Sequence, residues 1–213
     1  MNQSIETTLQ ELRIIPVVNI ADESFAKGLA DALIAGGLPL MEITLRSDAA
    51  INAIKSLAAR ADFVLGAGTV LNVIQCRQAL DAGARFSVSP GLDDGVVQHC
   101  LDNSVPVFPG VATATELQRA YNLGLTTVKF FPAEASGGMT TLKALAAPFD
   151  QMRFIPTGGI NAENMSIYLS LPSTLAVGGS WMVKHELYAD GDFSKVEVLT
   201  IEAAKRANEI ENR

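Results

Sequence analysis

Thr126-Thr127-Val128-Lys129-Phe130-Phe131-Pro132-Ala133-Glu134 sets a lysine inside a short run of β-branched and aromatic residues that reads as a buried strand. Strand side chains alternate between two faces, so Val128 and Phe130 share one and Thr127, Lys129 and Phe131 share the other. Lysine is seldom buried without a reason. A parallel sheet covered on both sides is a low-dielectric place that disfavours a charged amine, and a neutral amine is a nucleophile able to add to a carbonyl. The plainer reading is a lysine paired with a carboxylate for structure alone, and this stretch leaves both open.

Outward from the lysine strand, the chain alternates between strand and helix patterns. Before it, the periodicity predicts a short helix over 6–12, a strand over 14–20, a helix from an Asp22 cap through 35, and a strand over 40–45. A helix capped by Ser47 follows, then strands over 63–68, 85–89 and 105–108 separated by helices over 71–80 and 93–101, then a helix over 113–121. After it come a helix over 139–146, a strand over 153–156, a helix over 162–169, a strand over 175–177 and a closing helix over 194–212. Eight strands, each followed by a helical segment at a repeat of about 20–25 residues, predict an α/β fold of the (β/α)8 TIM-barrel type with a short N-terminal helix. The competing open doubly wound sheet usually carries a glycine-rich phosphate loop after its first strand, where this chain reads Asn19-Ile20-Ala21-Asp22-Glu23.

The 213 residues suit one domain over 1–213, and no linker divides them. A hydrophobic share of 48% with 18% charged residues excludes disorder, and no apolar run reaches the roughly 18 residues of a membrane helix. Met1-Asn2-Gln3-Ser4-Ile5-Glu6 has neither the basic region nor the apolar core of a secretion signal, so the expected location is cytoplasmic, with no membrane partner. Cys76 and Cys100 show no CxxC pairing, and His99 and His185 stand in unrelated contexts, so neither a disulfide framework nor a His-rich metal site is expected. These four are read as helix or loop residues without a partner. A net charge of −7 argues against nucleic acid and means that an anionic small molecule needs a local positive site.

In the second strand, Met41, Ile43 and Leu45 share the face that packs under helices, leaving Glu42, Thr44 and Arg46 directed into the barrel. Unpaired charges there cost several kcal/mol each, so they require partners or a ligand; Glu42 with Lys129 as a structural pair, and Arg46 as a cap on the barrel mouth, are the alternatives. Thr69 and Thr157 end strands just where barrel enzymes gather their chemistry, although such threonines often only satisfy a turn. Gly158-Gly159-Ile160-Asn161 after strand seven and Gly178-Gly179-Ser180 after strand eight have the layout of a barrel phosphate site, in which backbone N–H groups converge on an anion. Trp181 is expected beside that loop.

Glu42-Ile43-Thr44-Leu45-Arg46, Gly66-Ala67-Gly68-Thr69-Val70-Leu71, Ser89-Pro90-Gly91, Val128-Lys129-Phe130-Phe131-Pro132-Ala133-Glu134, Pro156-Thr157-Gly158-Gly159-Ile160 and Gly178-Gly179-Ser180-Trp181 resemble, in order, the motifs of the 2-keto-3-deoxy-6-phosphogluconate (KDPG) aldolases. The resemblance implies a Schiff-base lysine at Lys129, an acid/base at Glu42, carboxylate binding by Arg46 and Thr69, and phosphate binding by the two glycine loops, with Pro90 and Phe131 completing the substrate-binding set. It also implies a carbon–carbon lyase of the Entner-Doudoroff pathway, acting on a small phosphorylated 2-keto sugar acid as a homotrimer, without metal or other cofactor. The arginine at 46 and the acidic Asp22-Glu23 favour the gluconate over the galactonate branch, and cleavage of 4-hydroxy-2-oxoglutarate is a further family activity. Two rivals stand beside this reading: a metal-dependent aldolase, which the scarcity of histidine disfavours, and a non-catalytic phosphate-binding barrel.

Overall fold

The computed structural model describes residues 4–210, so the readings of residues 1–3 and of the closing helix at 211–212 lie outside the described residues. The chain alternates as follows: α1 (Ile5–Leu12), β1 (Ile14–Val18), α2 (Ala26–Ala35), β2 (Leu40–Thr44), α3 (Ala50–Leu57), β3 (Val64–Gly68) and α4 (Val73–Asp81). It continues with β4 (Phe86–Val88), α5 (Asp94–Asp102), β5 (Val107–Phe108), β6 (Gly110–Val111), α6 (Ala114–Asn122), β7 (Thr127–Phe130) and α7 (Gly138–Ala146). β8 (Arg153–Pro156), α8 (Met165–Leu169), β9 (Val177–Gly179) and α9 (Ser194–Asn208) complete it.

Every ladder between these strands is parallel. One six-stranded sheet runs β5-β4-β3-β2-β1-β9 and a three-stranded sheet runs β6-β7-β8. Isolated parallel bridges, Phe154 to Thr174 and Thr157 to Gly178, link the β8 region to the β9 region. The helices pack outside, α2 against α3 and α9, and α4 against α5. Strand residues such as Ile14, Met41, Ile43, Val128 and Phe130 are fully buried under them. Each such aliphatic or aromatic side chain contributes about 1.5–3 kcal/mol by leaving water.

Polar side chains in the loops after three of the strands cap the helices that follow. Asn72 accepts from Gln75 N at 3.0 Å and Asp93 from Val96 N at 2.8 Å. Thr113 and Glu116 form a reciprocal capping box, and the Ala112 and Thr113 N–H groups hold the Glu116 carboxyl below its ordinary range. Ser47 departs from expectation: its hydroxyl donates to Ile20 O, tying β2's exit to β1's, and α3 starts only at Ala50 with no side-chain cap. The segment predicted as one strand over 105–108 continues past Pro109 as two short ladders, β5 on β4 and β6 on β7, because proline has no N–H for a ladder. The helix predicted over 162–169 is confined to α8, since Asn161 and Asn164 turn their side-chain oxygens onto nearby N–H groups and hold residues 161–164 as a turn.

Arg13 fastens the N-terminal end of the strands to the last helices. It adopts φ 62 as the left-handed cap of α1, and its guanidinium donates to Leu169 O, Ala207 O and Ile210 O at 2.9, 3.0 and 2.6 Å. Those carbonyls lie at or just past the C-termini of α8 and α9, where a cation is favoured by the helix dipole. Arg13→Met, which keeps the stem and removes the donors, is expected to lower unfolding free energy by about 3 kcal/mol in denaturant titration. A change below about 0.5 kcal/mol would mean that water replaces the guanidinium.

Candidate active site

Glu42 sits in the middle of β2 and Lys129 near the end of β7, in different sheets and 87 residues apart, yet Lys129 Nζ donates to Glu42 Oε1 at 3.5 Å. Lys129 is 5% exposed and Glu42 2% exposed, so the pair is sealed from bulk water. At 3.5 Å the contact is longer than the usual charge-assisted bond of about 2.7–2.9 Å, leaving the amine free to turn toward a third group. Glycine makes the room: a Cβ on Gly68 would lie 2.0 Å from Glu42 Oε1. On the other side the Phe131 ring faces Nζ at 5.0 Å from its centroid. That face attracts a cation, and for an uncharged amine it is an apolar wall.

Thr44 is buried at the end of β2, and Arg46 takes the placement at the mouth given above as its alternative. The Thr44 hydroxyl is buried and donates to Val18 O at 3.0 Å, while also receiving Arg46 Nε at 3.4 Å. Arg46 is exposed at the rim, because it lies two residues beyond the end of β2, where strand alternation no longer directs it. The guanidinium lines a cavity of about 320 Å³.

That cavity gathers Arg46, Thr157, Gly158, Gly159, Gly179 and Ser180, so both glycine segments meet in one place. Among the described residues, the N–H groups of Gly159, Ile160 and Ser180 have no intramolecular acceptor. Free loop amides beside a cavity are donors from which an anion could accept. The last strand is shifted from the predicted 175–177 to Val177–Gly179, so Gly178 and Gly179 are strand residues, paired with Ile15 and Pro16. They are small because side chains occupy their Cβ positions: Thr157 Oγ1 would be 2.3 Å from one on Gly178, and the Trp181 ring 1.9 Å from one on Gly179. Thr157 is buried and donates to Ile155 O at 3.3 Å.

Lys129, Glu42, Phe131, Thr69 and Pro90 do not line that cavity. Thr69 follows Gly68 with φ 56, an outlier for a β-branched residue, and Val70 N is bonded to Val88 O at 3.1 Å beside it. The Pro90 carbonyl would lie 2.1 Å from a Cβ on Gly110, the register partner of Lys129.

Sequence reasoning missed Asn19, Lys184, His185 and Glu186, which also line the cavity. Asn19 was findable, as the first polar residue past β1 at the end where barrel chemistry gathers. His185 had no local signal; the chain returning after β9 sets its ring edge-on to Phe25 and Tyr188 at 5.8 and 5.3 Å. The unpartnered reading of Cys76 and Cys100 is also corrected: α4 and α5 pack side by side and bring the two buried Sγ atoms to 3.4 Å as free thiols. Among the described residues, no three His, Cys, Asp or Glu side chains gather as a metal site, and no helix is long and apolar enough to cross a membrane.

Compared with known proteins, the chain is 49% identical over 198 residues to the 2-dehydro-3-deoxy-phosphogluconate aldolase of Treponema pallidum, covering 92% of this chain and 94% of the relative. It superposes with TM-score 0.91 at 38% identity on a Legionella pneumophila KDPG aldolase with pyruvate captured as a covalent carbinolamine, over 95% of this chain and 99% of that one. A Zymomonas mobilis KDPG aldolase with 3-phosphoglycerate gives TM-score 0.88 at 42% identity, over 94% and 95% of the two chains. The profile of the KDPG and KHG aldolase family matches residues 5–199, and the chain belongs to that family.

Proposed function

We propose that the chain is a class I aldolase that cleaves 2-dehydro-3-deoxy-6-phosphogluconate to pyruvate and glyceraldehyde 3-phosphate through an imine on Lys129. The observation that carries this reading is the buried Lys129 amine 3.5 Å from the buried Glu42 carboxyl. Unprotonated Lys129 adds to the C2 ketone, water leaves, and the protonated imine draws electrons from the C3–C4 bond. Glu42 takes the C4 hydroxyl proton as that bond breaks, and later returns a proton to C3 of the enamine before hydrolysis frees pyruvate. Arg46 and Thr69 hold the carboxylate, Pro90 and Phe131 wall the reacting carbons, and Thr157, Gly158, Gly159, Gly179 and Ser180 surround the phosphate. The pyruvate adduct of the Legionella relative and the phosphorylated ligand of the Zymomonas relative support the two ends of this assignment. Cleavage of 4-hydroxy-2-oxoglutarate by the same chemistry fits a family that carries both activities in its name.

The two sheets read together as one closed (β/α)8 barrel, with β5 and β6 as halves of a single strand interrupted at Pro109. The contact of Glu42 with Lys129 between the sheets and the bridges from the β8 to the β9 region support closure. The same reading takes residues 1–213 as one domain of a cytoplasmic homotrimer that works without a metal. Its rivals are the galactonate isomer as substrate and a barrel that binds phosphate without catalysis.

Borohydride with pyruvate is expected to label wild-type protein at Lys129. Lys129→Arg should abolish the adduct, because a guanidinium stays protonated. Labelling at Lys143 or Lys184 instead would overturn the reading.

Glu42→Gln keeps the shape but cannot cycle a proton. It should still trap pyruvate, while exchange of the pyruvate methyl protons with deuterated water slows by at least about 10²-fold. Exchange at the wild-type rate in a trapping-competent variant removes Glu42 from the proton transfers.

A test of the phosphate end must avoid Gly179, where any side chain first displaces the Trp181 ring. Ser180 is exposed on the cavity, so Ser180→Asp adds a like charge without a clash. It should raise KM for the phosphorylated substrate by at least about tenfold and leave pyruvate trapping unchanged. Equal losses on both would point to damage to the fold.

A further inference from the structure

Glu134 closes the sequence run that carries Lys129, and the chemistry above gives it no role. Its backbone N–H and the stem of its side chain meet the glycine loop after β8. The Glu134 N–H donates to Gly158 O at 3.1 Å, and its Cγ would lie 2.6 Å from a Cβ on Gly159. Its carboxylate receives the Tyr168 O–H, and Tyr168 is a buried residue of α8. Asn164 Nδ2 donates to Gly159 O at 3.0 Å. Both loop carbonyls are therefore held by donors. In a trans peptide the N–H points opposite to the C=O, so the following amides, those of Gly159 and Ile160, are turned the other way. These are two of the amides without an acceptor, and both residues line the cavity. Gly158 and Gly159 hold this arrangement at φ 97 and φ 81, which a residue with a side chain would resist.

Glu134 presents a difficulty that Tyr168 resolves. A loose carboxylate next to these amides would occupy them or repel the ligand. Burial first, and the Glu134 carboxylate next, push the Tyr168 hydroxyl well above its ordinary pKa, so it stays a donor throughout the neutral range.

We propose that Glu134 and Tyr168 are a positioning pair: the Tyr168 hydroxyl anchors the Glu134 carboxylate, and Glu134 holds Gly158–Gly159 with its amides toward the cavity, setting preference for a phosphorylated over an unphosphorylated 2-keto acid. The inference rests on the reading of this cavity as the phosphate end of the substrate site. Neither residue touches substrate, and each acts through the loop.

The test compares Tyr168→Phe, Glu134→Ala and Glu134→Gln with wild type in three measurements. These are steady-state cleavage of 2-dehydro-3-deoxy-6-phosphogluconate and of 4-hydroxy-2-oxoglutarate, inorganic phosphate binding followed by ³¹P NMR, and pyruvate trapping by borohydride. Tyr168→Phe and Glu134→Ala are expected to raise KM for the phosphorylated substrate about five- to tenfold, the worth of one hydrogen bond, and to weaken phosphate binding in parallel. Trapping, kcat and the KM for 4-hydroxy-2-oxoglutarate should hold. Glu134→Gln keeps an acceptor for Tyr168 and should restore wild-type values. Equal losses on both substrates would reduce the pair to a structural role, and unchanged phosphate binding would remove it from the loop. If wild-type protein traps pyruvate yet neither binds phosphate nor cleaves the phosphorylated substrate, the reading of the cavity falls and takes the pair with it. If wild type does both and the variants match it, the pair alone falls.

Discussion

The rest of the structure is arranged around one unfavourable act, the burial of Lys129 with Glu42. Removing two such groups from water costs several kcal/mol each, and their attraction repays this only with good geometry. Against a total stability of about 5–15 kcal/mol, that cost constrains everything nearby. β2 and β7 must face each other from different sheets, and the residue opposite the carboxylate must be glycine, since any Cβ on Gly68 would strike Glu42. The outer faces of the same strands bear the compensating burial: Met41 and Ile43 alternate with Glu42, and Val128 and Phe130 with Lys129, all fully buried. A hydrophobic pair of similar volume would often be at least as stable as a buried ion pair, so stability alone gives little reason for these two residues. Reactivity gives one.

The glycine segments follow a different logic at their two ends of the cavity. Gly158 and Gly159 need positive φ, which aims amides where a residue with a side chain would resist. Gly178 and Gly179 lie in β9 and leave space for Thr157 and for the Trp181 ring. The first pair supplies donors and the second supplies packing that fixes where the donors stand. A substitution in either would act through a different cause although the sequence writes both as Gly-Gly.

This distinction marks the limit of what the sequence made legible. Alternating strand and helix patterns were readable because they depend on neighbours within a few residues. Lys129 and Glu42 stood out as charges in apolar strands, which is a local anomaly with a long-range explanation. Ser47 was misassigned because a hydroxyl three residues before a helix has two possible partners, and the carbonyl of Ile20 is invisible until β1 and β2 pair. Extending strand alternation past Thr44, where β2 has ended, left Arg46 between an inward place and the mouth. Asn19, Lys184 and His185 reach the cavity only because β1 and the chain after β9 come together, and the pairing of Cys76 with Cys100 needs α4 beside α5.

The net charge of −7 sharpens the question of how the proposed substrate, with a carboxylate at one end and a phosphate at the other, is held. Screening confines the repulsion from distant carboxylates to about 8–10 Å at ordinary ionic strength, so the local groups decide. Two cations line the cavity, and both are exposed: Arg46 at the rim, and Lys184 with Glu186 Oε1 at 3.8 Å. Immobilising a long side chain costs about 0.5–1.5 kcal/mol, and exposed ion pairs return about as little. The loop amides carry no such cost, because Glu134 and Asn164 already hold the peptide planes before any ligand arrives. On the proposed reading Arg46 has a geometric advantage instead, since its planar fork matches a carboxylate and would fix which end of the substrate turns toward Lys129. On that reading affinity falls to the held loop amides and orientation to the exposed Arg46, so the phosphate end is bound without a fixed cation near Lys129.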